Sequence, residues 1–195
     1  MAITYPLSAP AALQYAALRF TPKSIVGVSP SIFTGQQQVY AHQGQWWELE
    51  IVTPRMARAA LAPIVAWLCA LNGREGTFTI GDKLCAAPRG TISGSPTVNG
   101  AATRGSTTLA ITGHAGTLAL GDWIQIGTSL YLVTQVNSSS SIDVFPRLRS
   151  AYANGTSVIY SSPKGLFRLQ AEVPWNANDV GVYDSLNISA MEVLP

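Results

Sequence analysis

A mainly β fold is predicted for this chain: a β-sandwich or barrel with one α-helix at about residues 54–71, and a small antiparallel β-barrel inserted into it. Three observations predict it. Apolar and polar residues alternate through Gln45–Val52 with the period of a strand. Between residues 85 and 164, turn residues recur at short intervals among short β-type runs. Two similar strands, Gly76–Gly81 (Gly-Thr-Phe-Thr-Ile-Gly) and Gly165–Leu169 (Gly-Leu-Phe-Arg-Leu), flank that middle zone.

The first elements are two strands, Gln36–His42 and Gln45–Val52, read as a hairpin about Gln43-Gly44. A two-residue loop there sets Tyr40 opposite Trp47 and Ala41 opposite Trp46. Alternation puts Trp47, Leu49 and Ile51 on one face, with Tyr40 beside them against the helix. Trp46, Glu48 and Glu50 share the other. Thr53 then suits an N-cap and Pro54 a first helical position. Met56, Ala60, Ile64, Trp67, Leu68 and Leu71 recur at helical spacing, and Asn72-Gly73 tolerates the left-handed backbone that ends a helix. Pro63 inside this run predicts a kink or a restart.

Strands are predicted in the middle zone at Thr107–Thr112, Asp122–Ile126, Leu130–Val136 and Ile142–Phe145, with a weaker one at Thr156–Tyr160. Turns at Gly113, Gly121-Asp122, Gly127, Asn137–Ser140 and Asn154-Gly155 separate them, the pattern of a small barrel. The flanking strands are expected to be sheet neighbours. Residues 1–84 plus 165–195 then form one domain and residues 85–164 an insertion, which costs little loop-closure entropy.

Composition narrows the function. Net charge is +2, from 12 basic and 10 acidic residues, with no basic stripe of the kind that grips nucleic acid. Charged residues make up 11% of the chain, against roughly 25% in ordinary soluble domains. So few charges suggest surface hidden in an assembly. The N-terminus has no basic, apolar signal-peptide pattern, and the apolar run Ala59–Leu71 is too short to span a bilayer, so a soluble protein made in the cytoplasm is expected.

No catalytic constellation emerges. His42 and His114 stand in no Ser/His/Asp or Cys/His arrangement. Cys69, read as a small buried hydrophobe, and Cys85 lie too far from each other and from the histidines for the short ligand spacings of zinc sites, so neither a metal nor a cofactor is expected. Glu48 and Glu50 have the spacing of a paired acid/base site, but a solvated or subunit-facing strand face explains them better. Asp122 reads as a turn residue, and Asp179 and Asp184 fall in a loop at 176–185. Arg147 and Arg149 form the one tight basic pair, either solvated or paired with carboxylates. Trp123 and Tyr131 are candidates for stacking on a carbohydrate, with core packing the simpler reading.

The segments Leu120–Gly127 (Leu-Gly-Asp-Trp-Ile-Gln-Ile-Gly), Leu130–Val136, Phe145–Arg149 and Pro163–Leu169, in that order, resemble tail proteins of long-tailed, siphovirus-type bacteriophages and prophages. So does the helix end, where Leu71, Gly73, Gly76 and Phe78 match a Leu-x-Gly-x-x-Gly-x-Phe turn. The resemblance covers roughly residues 35–170 and is to the distal tail, or minor tail, proteins. It implies a ring-forming β-sandwich, commonly hexameric, between the tail tube protein and the hub or tip, with possible tail-fibre contacts. It also implies a channel that DNA crosses in transit, a place in the virion tail tip, no membrane binding and no catalytic residues. Trp46, Glu48, Glu50, Arg147 and Arg149 are the expected subunit-interface residues, one large ring among charges being what an interface patch looks like. A carbohydrate- or receptor-binding module of a tail tip is the alternative. A wall-degrading enzyme ranks below both, for want of a nucleophile or a metal set.

Overall fold

The computed structural model describes residues 3–176 and 182–195. Three strands open the chain, β1 (Leu7–Ser8), β2 (Ala17–Pro30) and β3 (Gln37–Val52). A two-residue strand, β4 (Met56–Ala57), leads into helix α1 (Arg58–Ala70), and β5 (Phe78–Ile80) follows. The middle of the chain supplies β6 (Ser93–Val98), β7 (Thr108–Ala115), β8 (Trp123–Ile126), β9 (Ser129–Ser138), β10 (Ser141–Phe145) and β11 (Val158–Ile159). Last come β12 (Gly165–Leu169), β13 (Val182–Tyr183) and β14 (Asn187–Glu192).

The fold is mainly β, as the sequence predicts. One six-stranded sheet has the order β1-β5-β12-β14-β3-β2. The two strands flanking the middle zone are antiparallel neighbours, with Phe167 opposite Phe78 and Gly165 opposite Ile80. The second sheet, in the order β11-β8-β9-β10-β7-β6, uses only residues from 93 to 159. It curls until its ends nearly meet: Thr97 bridges Ser157, and the Val98 N–H donates to Thr156 O at 2.8 Å. Closing a sheet removes its open edges. The chain leaves the first sheet and returns to it side by side at Gly81 and Pro163. A Cβ on Gly81 would lie 1.9 Å from the Pro163 carbonyl oxygen, so only glycine lets the two segments pass.

Each sheet has its own core. Leu49, Ile51, Phe78, Phe167 and Ile188 pack with Leu61, Ile64 and Leu68 of α1. Val98, Leu109, Ile111, Ile124, Val133, Ile142 and Val144 fill the barrel. Trp47 lies where the two structures meet. Its ring packs on Phe20, Trp123 and Phe145 at centroid distances of 6.3, 4.9 and 5.1 Å, and its Nε1 donates to Leu130 O of the barrel at 3.2 Å. The face of Trp47, Leu49 and Ile51 is buried as alternation predicts.

The hairpin about Gln43-Gly44 does not form. Those residues lie inside β3, whose partner is β2: Trp47 faces Pro22, Trp46 faces Lys23, and Tyr40 faces Gly27 and is exposed. The turn signal marks a bulge. Ser24 pairs with Gln45 and Val26 with Ala41, so His42–Gly44 oppose Ile25 alone. Gly44 is needed for contact, since a Cβ there would meet Ile25 Cδ1 at 2.6 Å. The actual turn spans Ser31–Gln36, closed by the Ser31 N–H on Gln36 O at 2.7 Å.

The helix also starts later than 54. Thr53 is fully buried and held extended by Leu186: its N–H donates to Leu186 O, and its Oγ1 accepts from the Leu186 N–H, both at 2.9 Å. Met56 and Ala57 then pair with β13, so Ala57 becomes the N-cap, without a side-chain hydrogen bond. Pro63 does not interrupt α1. Asn72 and Gly73 do take positive φ, 50° and 64°. Cys69 is exposed rather than buried, because Trp67 and Leu68 occupy the core face at this turn. Asp179 of the expected 176–185 loop lies outside the described residues.

Candidate assembly surface

Trp46, Glu48 and Glu50 line the outer face of the first sheet, each half-buried. Across the register, Lys23, Thr21 and Arg19 of β2 stand beside them, and Met191 and Ser189 of β14 lie opposite Glu48 and Glu50. Both carboxylates find cations within the chain. Arg19 Nη1 meets Glu50 Oε2 at 2.8 Å, and Lys23 Nζ meets Glu48 Oε2 at 3.2 Å. Trp46 Nε1 donates to Glu48 Oε1 at 3.4 Å. Such exposed pairs contribute little to stability, ~0–1 kcal/mol each. Both carboxylates are held by neighbouring cations rather than poised as an acid and a base. The face combines balanced charge with one large aromatic ring.

Sequence reasoning missed a larger feature, the arm formed by the far halves of β2 and β3. β14 accompanies β3 only from Glu48 to Val52, so residues 37–45 of β3 pair with β2 alone. Every residue from Ser24 to Gln43 is exposed. Val26, Val28, Val39 and Tyr40 project from the ribbon, and Ile32 and Phe33 at its tip are 95% and 96% exposed. A two-stranded ribbon is marginal in water on its own. The available signal was the β-branched run Ile25-Val26-Gly27-Val28, hidden by Pro22 and Pro30 on either side.

Arg147 and Arg149 have different fates. Arg149 is turned inward and 8% exposed. Its Nε donates to Glu192 Oε1 at 3.3 Å, its Nη2 to Glu192 Oε2, and its Nη1 to Gln45 O. Its backbone N–H donates to the Tyr131 hydroxyl at 3.0 Å. Glu192 Oε2 also accepts the Trp47 N–H at 3.0 Å. The pair thus clasps the segment after β10 to β3 and β14 of the first sheet, leaving little of Arg149 for a neighbouring chain. Burial pushes the Glu192 carboxyl above its ordinary value, opposed by Arg149 and the Trp47 N–H. Arg147 is half-buried at the rim of the same junction.

Asp122 does more than shape a turn. Its carboxylate is 3% exposed and accepts three backbone N–H groups, from Arg89 at 2.7 Å, Gly90 at 3.1 Å and Ala119 at 2.7 Å. It thereby ties the segment that enters the barrel to its wall. Tyr131 is fully buried and shares a 2.7 Å hydrogen bond with Tyr152. Its phenol is pushed up by burial first and by Tyr152 second. Trp123 packs on Phe20 and Trp47. Tyr131 offers no free face to a sugar, and Trp123 is half-buried.

Among the described residues, no three His, Cys, Asp or Glu side chains are grouped to hold a metal. His42 sits on the arm, and His114 Nε2 meets Ser139 O at 2.7 Å. Burial and the neighbouring Asp82 push the Cys85 thiol up, the opposite of what a nucleophile needs. No helix among the described residues is long and apolar enough to cross a membrane. No protein-family model matches the sequence, and no curated protein matches it.

Proposed function

We propose that this chain is a structural subunit of a ring at the distal end of a long-tailed phage's tail tube. It joins the tube to the hub or tip and leaves a channel for DNA. The arm is the observation that carries the assembly part of this reading. Exposed apolar side chains on an unsupported ribbon gain by covering one another's surface, on the order of 1.5–3 kcal/mol for each large side chain fully buried. In a closed ring each arm finds the same receiving surface on the next copy, so no arm is left open. The half-buried Trp46 face, at the foot of the arm, is the second contact. The tail location and a copy number of six rest on the sequence resemblance. The glycan-binding alternative draws no support from Trp123 or Tyr131, whose rings are packed.

Light-scattering mass of the purified chain tests assembly, with Phe33→Glu as the probe. Phe33 touches little in the single chain, so the variant is expected to melt like the wild type, within ~0.5 kcal/mol, while its oligomer dissociates. A wild type that stays monomeric at tens of micromolar, or a Phe33→Glu oligomer as stable as the parent, refutes the role given to the arm. Labelling the protein in intact particles tests its place: the tail end is expected, and absence from particles sinks the reading.

A further inference from the structure

A cleft of about 210 Å³ opens where the arm meets the barrel, lined by three arginines from two segments: Arg104 before β7, and Arg147 and Arg149 after β10. Among the described residues, no Asp or Glu side chain lines it. Arg149 is neutralised from behind by Glu192. The other two are not: of the four ion pairs among the described residues, none uses Arg104 or Arg147. Leu194 and Pro195 also border the cleft.

Arg147 is held in place although it has no counter-charge. Its backbone N–H donates to Gln45 Oε1 at 2.8 Å, and its Nη1 to Gly105 O at 3.2 Å. Its Nε is shut off from solvent and has no acceptor. A buried donor without a partner is rare and calls for an explanation. Two uncompensated guanidiniums on one small cleft also repel each other. Both costs are relieved by one kind of occupant, because the guanidinium fork matches the paired oxygens of an oxyanion. The space suits it as well: a water takes ~30 Å³ of liquid, so the cleft has room for such a group with part of its hydration.

We propose that this cleft is an oxyanion-binding site for a phosphate or carboxylate group. Arg147 supplies Nη2 and, after a small rotation of its guanidinium, Nε. Arg104 closes over the ligand from the solvent side, and Arg149, fixed and neutralised by Glu192, forms the rigid back wall. With two cations unbalanced, a phosphate dianion is favoured over a single carboxylate.

The test is titration calorimetry on the full chain at low ionic strength, with inorganic phosphate and acetate as alternative probes. Saturable binding at one site per chain is expected, with phosphate the tighter. Arg104→Ala and Arg147→Lys should each weaken it at least fivefold, while Arg74→Ala, on the exposed turn after α1, leaves it unchanged. Arg104 is exposed, so its variant keeps the fold and the comparison stands even if Arg147→Lys disturbs packing. Tighter phosphate supports a phosphoryl ligand. Tighter acetate supports a carboxylate from a protein partner, the same site with a different source. No saturable binding of either probe overturns the proposal. So does binding that survives both variants, or that falls equally in Arg74→Ala. The readout does not depend on assembly, so failure here leaves the ring reading intact.

Discussion

Replacing Arg149 by Met tests how the barrel is fastened to the sheet. The variant keeps most of the side-chain volume but removes the three guanidinium hydrogen bonds to Glu192 and Gln45. Glu192, 2% exposed, is then a buried carboxylate with only the Trp47 N–H beside it. Breaking a buried pair from one side costs about 3–5 kcal/mol. Here that cost must depend on pH. Burial already raises the Glu192 carboxyl, and Arg149 is the main influence opposing it, so the variant raises it further. A carboxyl raised in the folded state binds its proton more tightly there than in the unfolded chain. Its contribution to stability is fully present below the ordinary carboxylate value and is lost as pH rises through the raised value. The cost of Arg149→Met is therefore smallest in acid and largest at mildly alkaline pH. Urea unfolding followed by both tryptophan fluorescence and far-ultraviolet circular dichroism measures it. Trp47 and Trp123 report the junction, so separate transitions by the two probes would show barrel and sheet parting. Replacing both Arg149 and Glu192 by Met should recover most of the loss, short of the ~1–3 kcal/mol for a Trp47 N–H left without an acceptor. A single-variant cost under ~1 kcal/mol at alkaline pH, or one flat with pH, refutes the reasoning.

Two further substitutions probe the outer face and the barrel entrance. Trp46→Ala removes a half-buried ring and is expected to lower the stability of the isolated chain by about 1 kcal/mol, while weakening self-association at least tenfold by light scattering. If the monomer unfolds instead, Trp46 belongs to the core. Asp122→Ala leaves three backbone N–H groups without their acceptor and should cost about 3 kcal/mol. Amide hydrogen exchange at Arg89, Gly90 and Ala119 is expected to accelerate first, and unchanged exchange there would contradict the role given to Asp122.

Much of the fold could be read locally. Alternation sorted Trp47, Leu49 and Ile51 inward and Trp46, Glu48 and Glu50 outward, because side-chain direction in a strand has period two whatever its partner. The likeness of Gly76–Gly81 to Gly165–Leu169 was enough to place them side by side. Turn residues near Gly121, Gly127 and Asn154 marked most of the barrel strands, although Gly113, expected as a turn, lies inside β7, and β6, with Pro96 and Gly94 inside it, was missed. The errors share a cause. Gln43-Gly44 looks the same whether it ends a strand or bulges within one, and only the packing of Ile25 against Gly44 separates the two. Thr53-Pro54 looks like a helix start until Leu186, far along the chain, occupies both hydrogen-bonding groups of Thr53.

The candidate surfaces divide in the same way. Sequence alone determined the mainly β class, the helix and the two faces of β3, since each rests on residue types and short spacings. Tertiary structure decided what the residues of those faces and pairs do. It turned Arg149 inward to Glu192, a residue 43 positions away, and left Arg147, two residues earlier, with a bare Nε on a basic cleft. It also carried half of β2 and β3 beyond the sheet as an apolar arm. These outcomes depend on which distant segments pack together, and a strand's own sequence carries its periodicity but not the identity of its neighbour.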